Sequence, residues 1–107
     1  MVTRYKVEEL GLAVWVPKEL DHYSAEILRA EVELLIHIHH AKNLIFDFEQ
    51  TEFMDSSGIG VLIGRCRNLG FSNGVVYARN LSGRAEKIFN AGGLGKIIYV
   101  MSGVEEK

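Results

Sequence analysis

Leu44-Ile45-Phe46-Asp47-Phe48 is a short apolar run with the character of a buried strand, and Phe53-Met54-Asp55-Ser56-Ser57-Gly58-Ile59-Gly60-Val61-Leu62-Ile63-Gly64 follows it. Apolar residues then recur at Ile59, Leu62, Ile63, Cys66 and Leu69, the spacing of one helical face. A carboxylate and two hydroxyls therefore stand where a strand has ended and a helix begins. The first turn of a helix leaves backbone N–H groups unpaired and is the positive end of the peptide dipoles, so Asp55 or Ser56 can cap it. Gly60 and Gly64 are four apart and make a bare strip along one side of that helix. Such a strip receives a closely packed element or is left open for a partner, since each glycine costs up to about 1 kcal/mol of helix propensity.

Upstream, Tyr5-Lys6-Val7 and Leu12-Ala13-Val14-Trp15-Val16 read as two strands joined near Gly11 and paired as a hairpin. Leu12, Val14 and Val16 share one face, and Ala13 and Trp15 take the other, which places Trp15 on a partly open sheet surface or in a rim packing role. Pro17 ends the second strand, and Lys18 to Tyr23 link it to a helix with Ser24 as expected N-cap and Glu26 in the first turn. Ala25, Leu28, Val32, Leu35 and Ile36 form the inner face of this helix, widened by Ile27, Leu34 and Ile38. The run His37-Ile38-His39-His40 ends it. Three histidines fall short of the four supported ligands of a structural metal site, and histidines suit the negative end of a helix, so no metal is expected.

Downstream of the central helix, Ser72-Asn73-Gly74 reads as a turn and Val75-Val76-Tyr77-Ala78 as a strand. Ser82 then caps a third helix with Ala85, Ile88 and Phe89 facing inward. Gly92-Gly93 stops that helix, Leu94 closes it with an apolar contact, and Lys96 to Val100 form a last strand. The expected order is β-β-α-β-α-β-α-β, a single α/β domain over residues 1–107 with a mixed sheet and a flexible tail at 101–107.

Composition narrows the function. The chain has 107 residues, 48% of them hydrophobic and 24% charged, with a net charge of −2 and no block of lysines or arginines. That gives nucleic-acid binding no electrostatic support. No apolar run is long enough to cross a bilayer, the N-terminus has no signal-peptide pattern, and the one cysteine, Cys66, reads as a small core residue. A cytoplasmic, monomeric protein is expected, with no nucleic-acid or membrane partner. An enzyme is not: Met54-Asp55-Ser56-Ser57-Gly58 lacks the first glycine of a hydrolase elbow, no base is singled out for Ser56, and no Gly-Lys-Ser/Thr follows the glycines.

The string Phe53 to Leu62 closely resembles the phosphorylation-site motif of the STAS-domain anti-sigma factor antagonists of spore-forming bacteria. Glu19-Leu20-Asp21-His22, Lys87-Ile88-Phe89 and Gly93-Leu94 with Lys96-Ile97-Ile98 resemble other segments of that family, so the likeness spans nearly the whole chain. The chain departs from the family pattern at Lys18, where a glycine is common, and at Gly83, where a proline is usual. The resemblance implies the STAS fold and a partner-switching cycle. The unphosphorylated form would bind an anti-sigma factor that is also a serine kinase and so free a sigma factor. The kinase would use ATP to phosphorylate Ser56, and a serine phosphatase would reverse the step. No catalytic residue and no cofactor of its own are implied. Asp21 and Asp55 are the expected polar partner contacts, and Ser57, Gly58 and Gly60 the surface around the phosphosite, with the adjacent Ser57 hydroxyl as the competing acceptor. Two other readings stand beside this one: a STAS module in another signalling or transport assembly with the serine unused, and a small-ligand or nucleotide binder with an anion site at the helix N-terminus.

Overall fold

In a computed structural model, which describes residues 2–71 and 74–101, the chain forms β1 (Tyr5–Val7), β2 (Leu12–Trp15), β3 (Glu19–Leu20), α1 (His22–His39), β4 (Leu44–Asp47), β5 (Phe53–Met54), α2 (Ser56–Phe71), β6 (Val76–Arg79), α3 (Gly83–Ala91), a 3-10 turn (Leu94–Lys96) and β7 (Tyr99–Val100). Five strands make one sheet in the order β1-β2-β4-β6-β7. β1 runs antiparallel to β2, with Tyr5 opposite Val14 and Val7 opposite Leu12, and the other three pairings are parallel. The hairpin and the parallel crossovers thus follow the expected topology. The expected core placement of the Cys66 and Leu69 side chains, the turn at Ser72 and Asn73 and the tail from 102 onward lie outside the described residues. Met101, expected to begin that tail, instead donates its N–H to the Ala78 carbonyl at 2.8 Å.

All three helices pack on one face of the sheet. Leu12, Val14, Leu44, Phe46, Val76 and Ala78 supply that face, and Leu28, Val32 and Leu35 of α1, Leu62 of α2 and Phe89 of α3 close over it. The opposite face holds a smaller cluster of Ala13, Trp15 and Ile45, edged by Tyr77 and Met101. The alternation read along β2 is therefore the real division between two apolar layers.

Four details differ from the sequence expectation. Trp15 is buried: the Arg4 guanidinium lies 4.1 Å over its ring and Glu49 accepts its indole N–H at 3.2 Å, so the packing role holds and the open-surface one does not. Ile27, Leu34 and Ile38 lie on the solvent side of α1 and are about half exposed, because only one layer, the sheet, covers that helix. The last strand is shorter than expected, since Leu94–Lys96 coil into a 3-10 turn in which Ile97 and Ile98 donate back to the Leu94 carbonyl; only Tyr99 and Val100 pair with β6. Lastly, two additional strands exist. β3 and β5 form a separate parallel pair, Glu19 beside Phe53 and Leu20 beside Met54. Two residues are too few to carry an alternation, so no periodic signal marks them.

An ion-pair network ties the C-terminal ends of β4 and β6 to the hairpin. Arg79 holds buried Asp47 through Nε at 2.8 Å and grips Glu8 with both terminal nitrogens at 2.8 and 2.9 Å. Asp47 also accepts from the Glu49 backbone at 2.8 Å and from Asn80 Nδ2 at 3.1 Å. The Arg79 bonds hold the Glu8 carboxyl below its ordinary value and push the guanidinium upward in turn.

Candidate functional site

The β3–β5 pair sets two helix starts side by side. The Lys18 carbonyl accepts from the backbone N–H groups of Glu52 and Phe53, and the Leu20 carbonyl accepts from Asp55 N–H at 3.1 Å. Asp21 directly follows β3 and opens α1, and Asp55 directly follows β5 and opens α2. Each aspartate does the same work for its helix.

At α1, Asp21 Oδ1 accepts from Ser24 N–H at 3.0 Å while Ser24 Oγ accepts from Asp21 N–H at 2.9 Å, a reciprocal capping box. The N-cap is thus Asp21, and Ser24, the sequence expectation, is the third helical residue. β3 pairing decides this, because it holds Asp21 extended where the helix must begin. The Ser24 bonds also hold the Asp21 carboxyl below the usual aspartate range.

At α2, Asp55 Oδ1 accepts from Gly58 N–H at 3.1 Å and the Asp55 carbonyl accepts from Ile59 N–H at 3.1 Å. Of the two residues that could cap this helix, Asp55 does so. Ser56 becomes the first helical residue, exposed, with its hydroxyl outside the cap; Ser57 beside it is half-buried.

The glycines of α2 divide by surroundings. Gly58 is buried against β3: a Cβ there would sit 2.6 Å from Leu20 Cγ and 2.7 Å from the Leu20 carbonyl oxygen. It has no side chain because the chain itself occupies the space. Gly60 and Gly64 have no neighbouring atom within 4 Å of where a Cβ would stand. The bare strip is therefore open, the second of the two readings it allowed. It floors a groove of about 380 Å³ between α1 and α2, whose near end is Ser57 and His22 and whose far end is Arg65.

Charges line the groove's far half, a feature the motif did not signal. Arg29 bridges Glu26 and Glu33 along α1 at 3.1 Å each, and Arg65 of α2 reaches Glu33 at 3.1 Å. The Glu26–Arg29–Glu33 spacing of three and four was legible as helix-surface pairing. Arg65 was not, since its pairing with Glu33 crosses from α2 to α1; it stands at the end of the bare strip and is 9% exposed, with an Nε that has no partner among the described residues. The histidines at the end of α1 show no ligand cluster: among the described residues, no three His, Cys, Asp or Glu side chains gather to hold a metal. No described helix is long and apolar enough to cross a membrane.

Comparison with known proteins gives this geometry a context. A family model described as the STAS domain matches residues 3–107. An anti-sigma F factor antagonist of Lysinibacillus sphaericus is 36% identical over 89 residues, 83% of this chain and 74% of that protein. Among solved structures, the anti-sigma factor antagonist SpoIIAA in its unphosphorylated form superposes with a TM-score of 0.73 at 30% identity, covering 98% of this chain and 92% of that one. The Bacillus cell fate determinant SpoIIAA in its phosphorylated form gives a TM-score of 0.71 at 30% identity, covering 94% and 92%.

Proposed function

The chain belongs to the STAS-domain family, and on that premise we propose that it is an anti-sigma factor antagonist switched off by phosphorylation of Ser56. One observation carries the choice of residue. Asp55 caps α2, so the Ser56 hydroxyl is exposed and has no structural duty, beside an open glycine strip and a second capped helix start. A partner kinase can reach such a hydroxyl without unfolding anything.

The unphosphorylated surface around Ser56, Ser57, Gly60 and Asp21 docks the anti-sigma factor, which then no longer holds its sigma factor. Phosphorylation by that partner, with ATP bound to the partner, adds about −1.5 to −2 charges at the first helical residue. The positive helix end favours that charge and the neighbouring Asp55 opposes it, so the fold changes little. The change falls on the partner, because docking must now desolvate an unpaired dianion, a cost of several kcal/mol that releases a micromolar complex. A serine phosphatase returns the protein to its binding form. The chain is substrate and ligand in this cycle, works in the cytoplasm and supplies no catalytic group.

The test uses wild type, Ser56→Ala and Ser56→Asp as bait in the native lysate, followed by ATP and peptide mapping of the phosphate. An ATP-dependent kinase held by wild type and Ala, lost with Asp and marking Ser56 is the expected result. Phosphate on Ser57 would move the switch by one residue. Equal retention by all three baits would leave a binding module in which the serine is unused.

A further inference from the structure

Apart from the Ser56 surface, a cavity of about 310 Å³ opens between the N-terminal segment, the end of β2 and the outer edge of α1. Its walls are Trp15, Pro17, Ile27 and Leu28, and its rim carries Arg4 and Lys18. We infer that this cavity is a binding site for a small organic anion with a compact apolar body, a medium-chain carboxylate being the simplest example.

Three observations lead there. The size stands at the lower bound of small-molecule sites and is far above the voids of a packed interior. The charge is one-sided: none of the residues lining the cavity is acidic. Among the described residues the Arg4 guanidinium has no carboxylate within 4.0 Å and rests on the Trp15 ring, and Lys18 meets Glu52 only at 4.0 Å with both side chains largely exposed. The nearby carboxylates are committed elsewhere, Glu31 to the backbone N–H groups of Val2 and Thr3 and Glu49 to the Trp15 indole. An apolar tail would cover Ile27, which is 47% exposed in a helix whose other face is fully packed. The carboxylate would then lie at the rim between two cations, with Gln50 at the same opening as a further polar group.

Trp15 is the single tryptophan of the chain, so its fluorescence reports on the cavity. Full-length protein is titrated with octanoate, octanol and octylammonium, and amide shifts are followed in parallel. Octanoate is expected to perturb Trp15 and the amides of Arg4, Ile27 and Gln50, about fivefold more tightly than octanol, with octylammonium weakest. Arg4→Gln should reduce the preference for octanoate, Arg4→Gln combined with Lys18→Gln should remove it, and both should leave octanol binding unchanged. Ile27→Glu, an exposed helix-compatible change, should abolish octanoate binding while helicity is retained. Equal binding of all three probes, unchanged binding in Arg4→Gln, or shifts confined to residues outside the cavity would each overturn the assignment. So would the lack of any Trp15 response at millimolar octanoate.

Discussion

Replacing Gly58 and Gly60 one at a time by alanine separates the inward and outward roles of the α2 glycines. At Gly60 a Cβ meets no atom within 4 Å, so the change only relieves the helix-propensity deficit of glycine. The gain is about 0.8–1.0 kcal/mol, which raises the melting temperature by about 4 °C in a domain of this size. At Gly58 the same propensity gain competes with contacts of 2.6 Å to Leu20 Cγ and 2.7 Å to its carbonyl oxygen. The side-chain carbon can rotate away, but the backbone oxygen is fixed by its bond from Asp55 N–H. Overpacking of this kind costs about 3 kcal/mol at its upper end, leaving a net loss of about 2 kcal/mol. Urea unfolding read by Trp15 fluorescence measures both variants against wild type at constant slope. Gly60→Ala should also weaken binding of the anti-sigma partner although the protein is more stable, because the close approach along the strip is lost. A Gly58→Ala variant as stable as wild type, or a Gly60→Ala variant less stable, would refute the steric division drawn here.

Arg79→Gln strands the buried Asp47 charge, leaving it only the Glu49 and Asn80 donors, and should cost about 3 kcal/mol in equilibrium unfolding. Glu8 has a carboxyl lowered by its Arg79 bonds, so its contribution is fully present above its ordinary value of 4.5 and is lost as pH falls through the lowered folded value. Unfolding midpoints measured from pH 7 down to pH 3 should therefore fall through that acid window, and Glu8→Gln should flatten the fall. Asp55→Ala should lose the α2 cap at a cost of about 1 kcal/mol, whereas Asp55→Asn should keep most of it. Thermal unfolding distinguishes the two, and equal destabilisation by both would show that charge, not capping, holds the helix start.

The sheet and its helices were legible because their signals are local. The apolar run at Leu44, the alternation along Leu12 to Val16 and the periodicity from Ile59 each lie within one element. The surroundings of the proposed phosphosite were legible as a strand end, a capping group and a helix start, which is where Asp55 and Ser56 stand. What the sequence left open depends on partners far along the chain. The β3–β5 pair joins residues 34 apart, and it alone decides that Asp21 rather than Ser24 caps α1. Trp15 is buried by Arg4 and Glu49, neither of which belongs to a periodic pattern. The Glu8–Arg79 bonds span 71 positions, and no spacing rule reaches that far. The exposure of Ile27, Leu34 and Ile38 follows from the number of layers, which is a property of the assembled fold and not of the helix.

The brevity of the outermost strands limits how this protein can associate. β1 pairs three residues and β7 two, so the sheet ends on each side in a very short ladder. A strand added by another molecule would gain about three rungs, each worth roughly 0.5–1.5 kcal/mol net, against an association cost of about 4–15 kcal/mol. Among the described residues, sheet extension therefore offers little net gain to a second chain. Edges this short suit a protein that is captured and released repeatedly, and they agree with the proposal that recognition falls to the helix ends and the cleft between them.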